Sequence, residues 1–159
     1  MEVVVKSAIA AMAVLLMTSA AFAQNGSLTG IYKYTYGKYH KGTLVFVETK
    51  DGNAQFTLYS DTYIVPVEDD LGVCFVGESE MQDGEWKDKP KLATKINDTK
   101  YVFKEKHEGQ NEVSTIIFDF SKNESVTVTS ENCTLFYCVT EGGDIDGTYK
   151  KTSDKASFK

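Results

Sequence analysis

No arginine occurs in this sequence, so all 17 of its basic residues are lysines. It is also poor in proline (2), histidine (2) and tryptophan (1), and it holds 3 cysteines in 159 residues. Each shortage removes a class of function. Nucleic-acid binders present a basic, usually arginine-bearing face, whereas this chain carries a formal net charge of −6. No nucleic-acid partner is expected. His40 and His107 stand in separate turn-like contexts with no second ligand at metal spacing, which argues against a zinc site; no metal or other cofactor is expected. No serine, threonine or cysteine is marked by its surroundings as an activated nucleophile, so the chain reads as a binding protein rather than an enzyme. Helix periodicity is missing too: after residue 24 no segment keeps apolar residues at i, i+3, i+4 and i+7 over three turns.

The long apolar run that does exist is at the start. Lys6 precedes the stretch Ala8–Met17, and small residues follow, ending in Ala21-Phe22-Ala23. That order is a secretory leader with cleavage after Ala23, and the run is shorter than the ~20 residues a membrane span needs. No cysteine follows it before Cys74, so lipidation is not expected. The division is therefore a signal helix over 1–23 and a single domain over 24–159, ending in a short polar tail. The mature chain, without a membrane anchor, is expected in the bacterial periplasm or secreted. The matches to the glycosylation pattern at Asn25, Asn97, Asn123 and Asn132 read as chance in a bacterial protein. Roughly 136 mature residues make one domain, long enough to bury a core without metals.

Cys74, Cys133 and Cys138 would meet an oxidising compartment, which gives one disulfide and one leftover thiol. A straight strand would hold Cys133 and Cys138 about 16 Å apart, whereas a disulfide needs Cα atoms within about 7 Å. A local bridge therefore requires a turn at 133–138; otherwise Cys74 pairs with one of the two. The expectation is Cys133–Cys138, with Cys74–Cys138 as the alternative.

What is abundant is alternation, carried by Thr, Val, Tyr and Phe, which suit a half-buried pleated surface. Strands are expected at Gly30–Tyr36, Thr43–Thr49, Ala54–Ser60, Tyr63–Val67, Val73–Glu80, Lys100–Glu105, Val113–Phe120, Ser125–Ser130, Leu135–Val139 and Gly147–Lys151. Turn chemistry separates them, including Asp51-Gly52 and Asp83-Gly84. Leu44 and Phe46, with Glu48 beyond them, share a face, and Val126 and Val128 point into the core. The polar stretch Asp83–Asn97, with Pro90 and Trp86, is expected to be a long loop. The fold class is all-β: an antiparallel meander closed into a small barrel of the calycin or lipocalin type. Closure is suggested by matching ends, since Gly30-Ile31-Tyr32 and Gly147-Thr148-Tyr149 both place Tyr two residues after Gly.

The candidate contact residues follow from exposure and charge. Trp86 in a polar segment fits a binding hot spot. Glu78 and Glu80 form an acidic cluster that would attract a cationic partner. Tyr32 and Tyr34 lie on one face of the first strand, where Tyr adds contact area with a polar tip.

These elements together resemble small bacterial exported β-barrel domains, some of them lysozyme-inhibitor-like. The likeness rests on Gly30-Ile-Tyr32, Gly42-Thr-Leu44, Cys74-Phe-Val-Gly77-Glu78, Cys133 with Cys138, and Gly147-Thr-Tyr149-Lys-Lys151. It spans nearly the whole mature chain. Two departures stand out: the further cysteine that such domains often carry before the strand here starting at Val113 is missing, and so is the Ser-Gly-x-x-Tyr segment that enters the cleft of c-type lysozyme. The resemblance implies a calycin-type barrel and a habit of binding cell-wall hydrolases. The expected function is an exported inhibitor that blocks a protein partner, such as a peptidoglycan-cleaving enzyme or a toxin. The alternatives are a carrier of one small apolar ligand, for which an eight-stranded barrel has room, and an envelope structural protein without a discrete site.

Overall fold

A computed structural model describes residues 26–37, 40–63, 71–122, 124–139 and 143–158; the side chains of Thr62, Tyr63, Leu71 and Trp86 are outside the described set. The expected leader, and most of the strand expected at Tyr63–Val67, lie outside the described residues. The strands are β1 (Gly30–Tyr36), β2 (His40–Glu48), β3 (Ala54–Tyr63), β4 (Leu71–Val76), β5 (Glu78–Gln82), β6 (Glu85–Lys89), β7 (Lys91–Asn97), β8 (Lys100–Lys106), β9 (Val113–Asp119), β10 (Ser125–Glu131) and β11 (Gly147–Ser153). One helical turn, α1 (Thr134–Tyr137), precedes β11.

Eight of these strands form a closed antiparallel barrel in the order β1-β2-β3-β7-β8-β9-β10-β11, with β11 returning to β1. The matching end strands do seal it: Tyr32 pairs with Lys151 and Lys33 with Lys150. Their tyrosines also make the same bond. Tyr32 donates its hydroxyl to the Leu28 carbonyl at 2.7 Å, and Tyr149 donates to the Ile145 carbonyl at 2.8 Å. A buried Tyr needs such a partner for its hydroxyl; here each ring crosses the core and fastens the chain four residues upstream. Gly42 makes room for one of them, because a Cβ there would lie 2.6 Å from the Tyr149 hydroxyl.

Period-two burial fills the interior with rings. Phe46 lies 4.8 Å from Phe120, 5.1 Å from Tyr101 and 5.6 Å from Phe118, and Phe56 lies 4.7 Å from Phe118 and 5.3 Å from Phe103. Leu44, Val126 and Val128 join them as expected. Burying each such side chain is worth about 1.5–3 kcal/mol, so the ring stack is the main source of stability. Glu48 caps one end of the stack. It accepts bonds from the Tyr101 hydroxyl (3.1 Å), the Leu28 amide (2.8 Å) and the Ser27 hydroxyl (3.0 Å).

The barrel has a seam. Residues Ala54–Phe56 of β3 pair with β7, but Leu58–Tyr63 pair with β4. Above the start of β7 a slot therefore opens between β4 and β8, and α1 plugs it. Cys138 forms an isolated bridge and a disulfide with Cys74 on β4, with Cα atoms 3.9 Å apart. The Val139 amide bonds to the Val73 carbonyl at 2.8 Å, while the Tyr137 ring meets Phe103 of β8 at 6.2 Å.

Four expectations are corrected here. The disulfide is Cys74–Cys138, the alternative pairing, and not Cys133–Cys138. The segment between the last two cysteines is a four-residue helical turn that the chain leaves extended at Cys138, so those thiols face different ways. Cys133 points inward, 3.4 Å from the Thr115 and Glu131 carbonyls. Leu135–Val139 is accordingly not a strand: Asn132, at φ 56°, swings the chain out of β10, and the Tyr137 amide closes the turn on Cys133. Third, Asp83–Asn97 is not a loop. It supplies the turn and return strand of a hairpin, β6, and a barrel strand, β7. Similarly, Val73–Glu80 is two strands, separated at Gly77.

Candidate functional site

β5 and β6 form a two-stranded ribbon of their own, outside the barrel sheet. Asp83 (φ 55°) and Gly84 (φ 82°) make the turn, and positive φ at both central residues is the hairpin turn whose twist suits two antiparallel strands. The register pairs Glu78 with Lys89, Glu80 with Lys87 and Met81 with Trp86. All five residues of β5 are exposed, and Met81 is 58% exposed. The ribbon buries no side chain of β5, so that strand gains no apolar packing from the core.

Charge organises the ribbon instead. Glu78, Glu80, Asp83, Glu85 and Asp88 face only Lys87 and Lys89 within it. Lys89 pairs with Glu80 at 2.6 Å, and Lys91, the first residue of β7, reaches Glu78 at 2.9 Å. The hydrogen bond and charge of Lys91 hold the Glu78 carboxyl below the usual carboxylate range. Asp83 and Glu85, at the turn, have no ion pair among the described residues. The ribbon therefore ends in net negative charge beside exposed apolar surface.

The base of the ribbon is tied to the seam. Lys91 also pairs with Glu105 of β8 at 3.0 Å, and its side chain is only 16% exposed. The other carboxylate oxygen of Glu105 accepts the Tyr137 hydroxyl. Partial burial alone would raise the Glu105 carboxyl, but the bonds from Tyr137 and Lys91 and the charges of Lys91 and His107 hold it below its ordinary value. Burial and the bond to Glu105 push the Tyr137 phenol up. Beside them His107 stacks on Phe136 with ring centroids 3.6 Å apart, and its Nε2 lies 3.0 Å from the Ser114 hydroxyl. Ser114 is fully buried and donates to the Asn132 carbonyl at 2.9 Å, so this serine–histidine contact braces α1 and presents no accessible nucleophile. His40 lies elsewhere, with Nε2 3.1 Å from the Asp144 carbonyl and its ring against Tyr34. Among the described residues no group of three or more His, Cys, Asp or Glu could hold a metal ion.

Of the candidate contact residues, Glu78, Glu80 and Trp86 come together on the one ribbon; the Trp86 side chain lies outside the described set, and its backbone sits opposite Met81. Tyr32 does not join them. It is 2% exposed, and desolvation with the nearby Glu48 and Asp154 carboxylates pushes its phenol up. Tyr34 lies against His40 and is tilted on Tyr149 at 5.4 Å. The residues missed from sequence are Lys91, Glu105 and Tyr137. A signal existed for Glu105: it continues the inward face of Tyr101 and Phe103, and an acid in that position demands a partner. Glu48, after Leu44 and Phe46, follows the same rule.

A separate groove of about 440 Å³ lies at the other end of the barrel, lined by Leu28, Thr29, Tyr32, Phe120, Glu124 and Lys151 among others. Lys151 is already engaged there by the Ser27 carbonyl (2.9 Å) and Asp154 (2.7 Å). The disulfide fits an oxidising compartment, and no helix among the described residues is long and apolar enough to cross a membrane. No protein-family model, no curated protein and no solved structure matches this chain.

Proposed function

We propose that the chain is an exported, non-enzymatic binding protein that blocks a basic protein partner by presenting the β5–β6 ribbon to it. The observation that carries this reading is the ribbon itself: a two-stranded sheet separate from the barrel, with one strand exposed at every residue and a turn whose acids, Asp83 and Glu85, have no ion pair among the described residues. An isolated two-stranded hairpin is at best marginally stable in water, so the fold gains little from it. A net charge of −6 would steer encounter with a cationic surface. The partner class is a peptidoglycan-cleaving enzyme or an imported toxin, and the place of action is the periplasm or the medium of a bacterium, in keeping with the leader read over 1–23 and with the disulfide.

A carrier of lipocalin type is the second reading. The ring-filled interior weighs against it, and the groove near Lys151 is the feature that favours it. The test is inhibition of a panel of basic muramidases and amidases by the processed chain at micromolar concentration. Inhibition of at least one is expected, reduced tenfold or more by Glu85→Lys with Asp88→Lys. Full activity of every enzyme in the panel would count against the proposal.

A further inference from the structure

The disulfide, the plug and the ribbon meet at one carboxylate. Cys138 is fixed to Cys74; its neighbour Tyr137 donates to Glu105; Glu105 accepts from Lys91, and Lys91 from Glu78, where β5 begins, takes its second acceptor. Among the described side chains, the Glu78–Lys91 pair is the one ion pair from the ribbon to the barrel, since Ser79–Asp88 and Glu80–Lys89 stay within the ribbon. Each charged link is of the stronger hydrogen-bond class. The plug, by contrast, has little hold of its own. α1 is four residues long, buries none of them and has no side-chain cap. Its seat depends on the disulfide, the Val139–Val73 bond and the rings of Phe136 and Tyr137. Gly143 is packed against the bridge so closely that a Cβ would lie 2.5 Å from the Cys74 sulfur.

We infer that the Cys74–Cys138 disulfide sets the stiffness of the ribbon's base, with Tyr137, Glu105 and Lys91 as positioning residues between the two, so that a dithiol loosens the contact element while the barrel stays folded. That this regulates binding rests on the reading of the ribbon as the docking element; the mechanical link does not. In the reduction, a thiolate of the dithiol attacks one sulfur of the bridge and expels the other. Its second thiol then resolves the mixed disulfide. Two electrons pass to the protein, Cys74 and Cys138 end as thiols, and the dithiol ends as a disulfide. The seam is where such a link has room to act, because there β3 has handed its partner from β7 to β4, and the contacts from Tyr137 through Glu105 and Lys91 to Glu78 are contiguous.

The chain supplies its own probe, since Trp86 is the single tryptophan and lies on β6. Time-resolved fluorescence anisotropy of the processed chain is measured oxidised and after dithiol treatment. The amplitude of fast Trp86 motion is expected to rise at least twofold on reduction while the far-ultraviolet strand signal is retained. Tyr137→Phe and Lys91→Met, both with the bridge intact, are expected to move it the same way. Glu80→Gln, which alters only a pair within the ribbon, is expected to leave it unchanged. Should reduction unfold the barrel, the two bridged variants decide. Wild-type anisotropy in both of them, with the strand signal intact, would overturn the inference. No partner enters this measurement, so its outcome is independent of the inhibition assay.

Discussion

The barrel and the β5–β6 ribbon are built from the same alternating backbone and use it for opposite ends. In the barrel every second residue is driven inward, and Phe46, Phe56, Phe118 and Phe120 are all at most 1% exposed. In the ribbon no residue of β5 is buried, and two of the five facing pairs set Glu against Lys. The difference separates two tasks. Where alternation meets a closed sheet it produces stability; where the strand leaves the sheet, it leaves side chains free for contact. Substitutions should therefore sort by region.

The largest effect is expected from Phe118→Ala. The side chain is fully buried and lies against both Phe46 and Phe56, so the loss should approach about 5 kcal/mol, the upper end for Phe truncation, read as a shift in the urea midpoint. Replacing both Cys74 and Cys138 by Ala comes next. The bridge closes 64 residues, and the chain-entropy argument gives about 4 kcal/mol for a loop of that size; equal midpoints for the two proteins would contradict it. Gly42→Ala should cost about 1–3 kcal/mol by overpacking, since the new methyl meets a Tyr149 ring pinned by its bond to the Ile145 carbonyl.

A smaller effect sharpens the boundary between the regions. Glu105 is held below its ordinary value in the fold, so its contribution is complete above the unfolded value of about 4.3. It is lost as pH falls below that through the folded value. Lys91, Tyr137, His107 and Glu78 surround it. Asp146 has the opposite sign, because burial raises its carboxyl, and its contribution is lost as pH rises. The difference between wild type and Glu105→Gln isolates the first from the second. The excess stability of wild type should therefore shrink on going from pH 6 to pH 3, and a constant gap would refute the assignment.

Much of the barrel was legible in the sequence because large apolar residues mark one face. The bounds of Gly30–Tyr36 are readable to the residue, and the paired Gly-x-Tyr ends point to the closure that β1 and β11 make. The legible part stops where alternation no longer has a core side. In β7 the larger residues Leu92 and Ile96 point out, 55% and 56% exposed, and only small Ala93 points in. Glu85–Lys89 has no apolar period at all, and its register is set by an Asp-Gly turn, which has a local signature, and by charge pairs, which have none. The helical turn at 134–137 is aromatic-rich and so looked like a strand; what decides it is the seam, a tertiary feature with no local signature. Of the candidate contact residues, Glu78, Glu80 and Trp86 share the one ribbon, where charge and polar surroundings mark them in the sequence. Tyr32 was misplaced because its alternation with Tyr34 reads the same whether that face is bound by a partner or by the core.

The account stands most directly on one comparison, between the intact processed chain and a version in which residues 79–88 are replaced by a two-glycine turn. Against a hydrolase that the intact chain inhibits, the shortened barrel should keep its urea midpoint within about 0.5 kcal/mol, the scale of surface changes, and lose inhibition tenfold or more. A shortened barrel that still inhibits fully would show that the contact surface lies elsewhere.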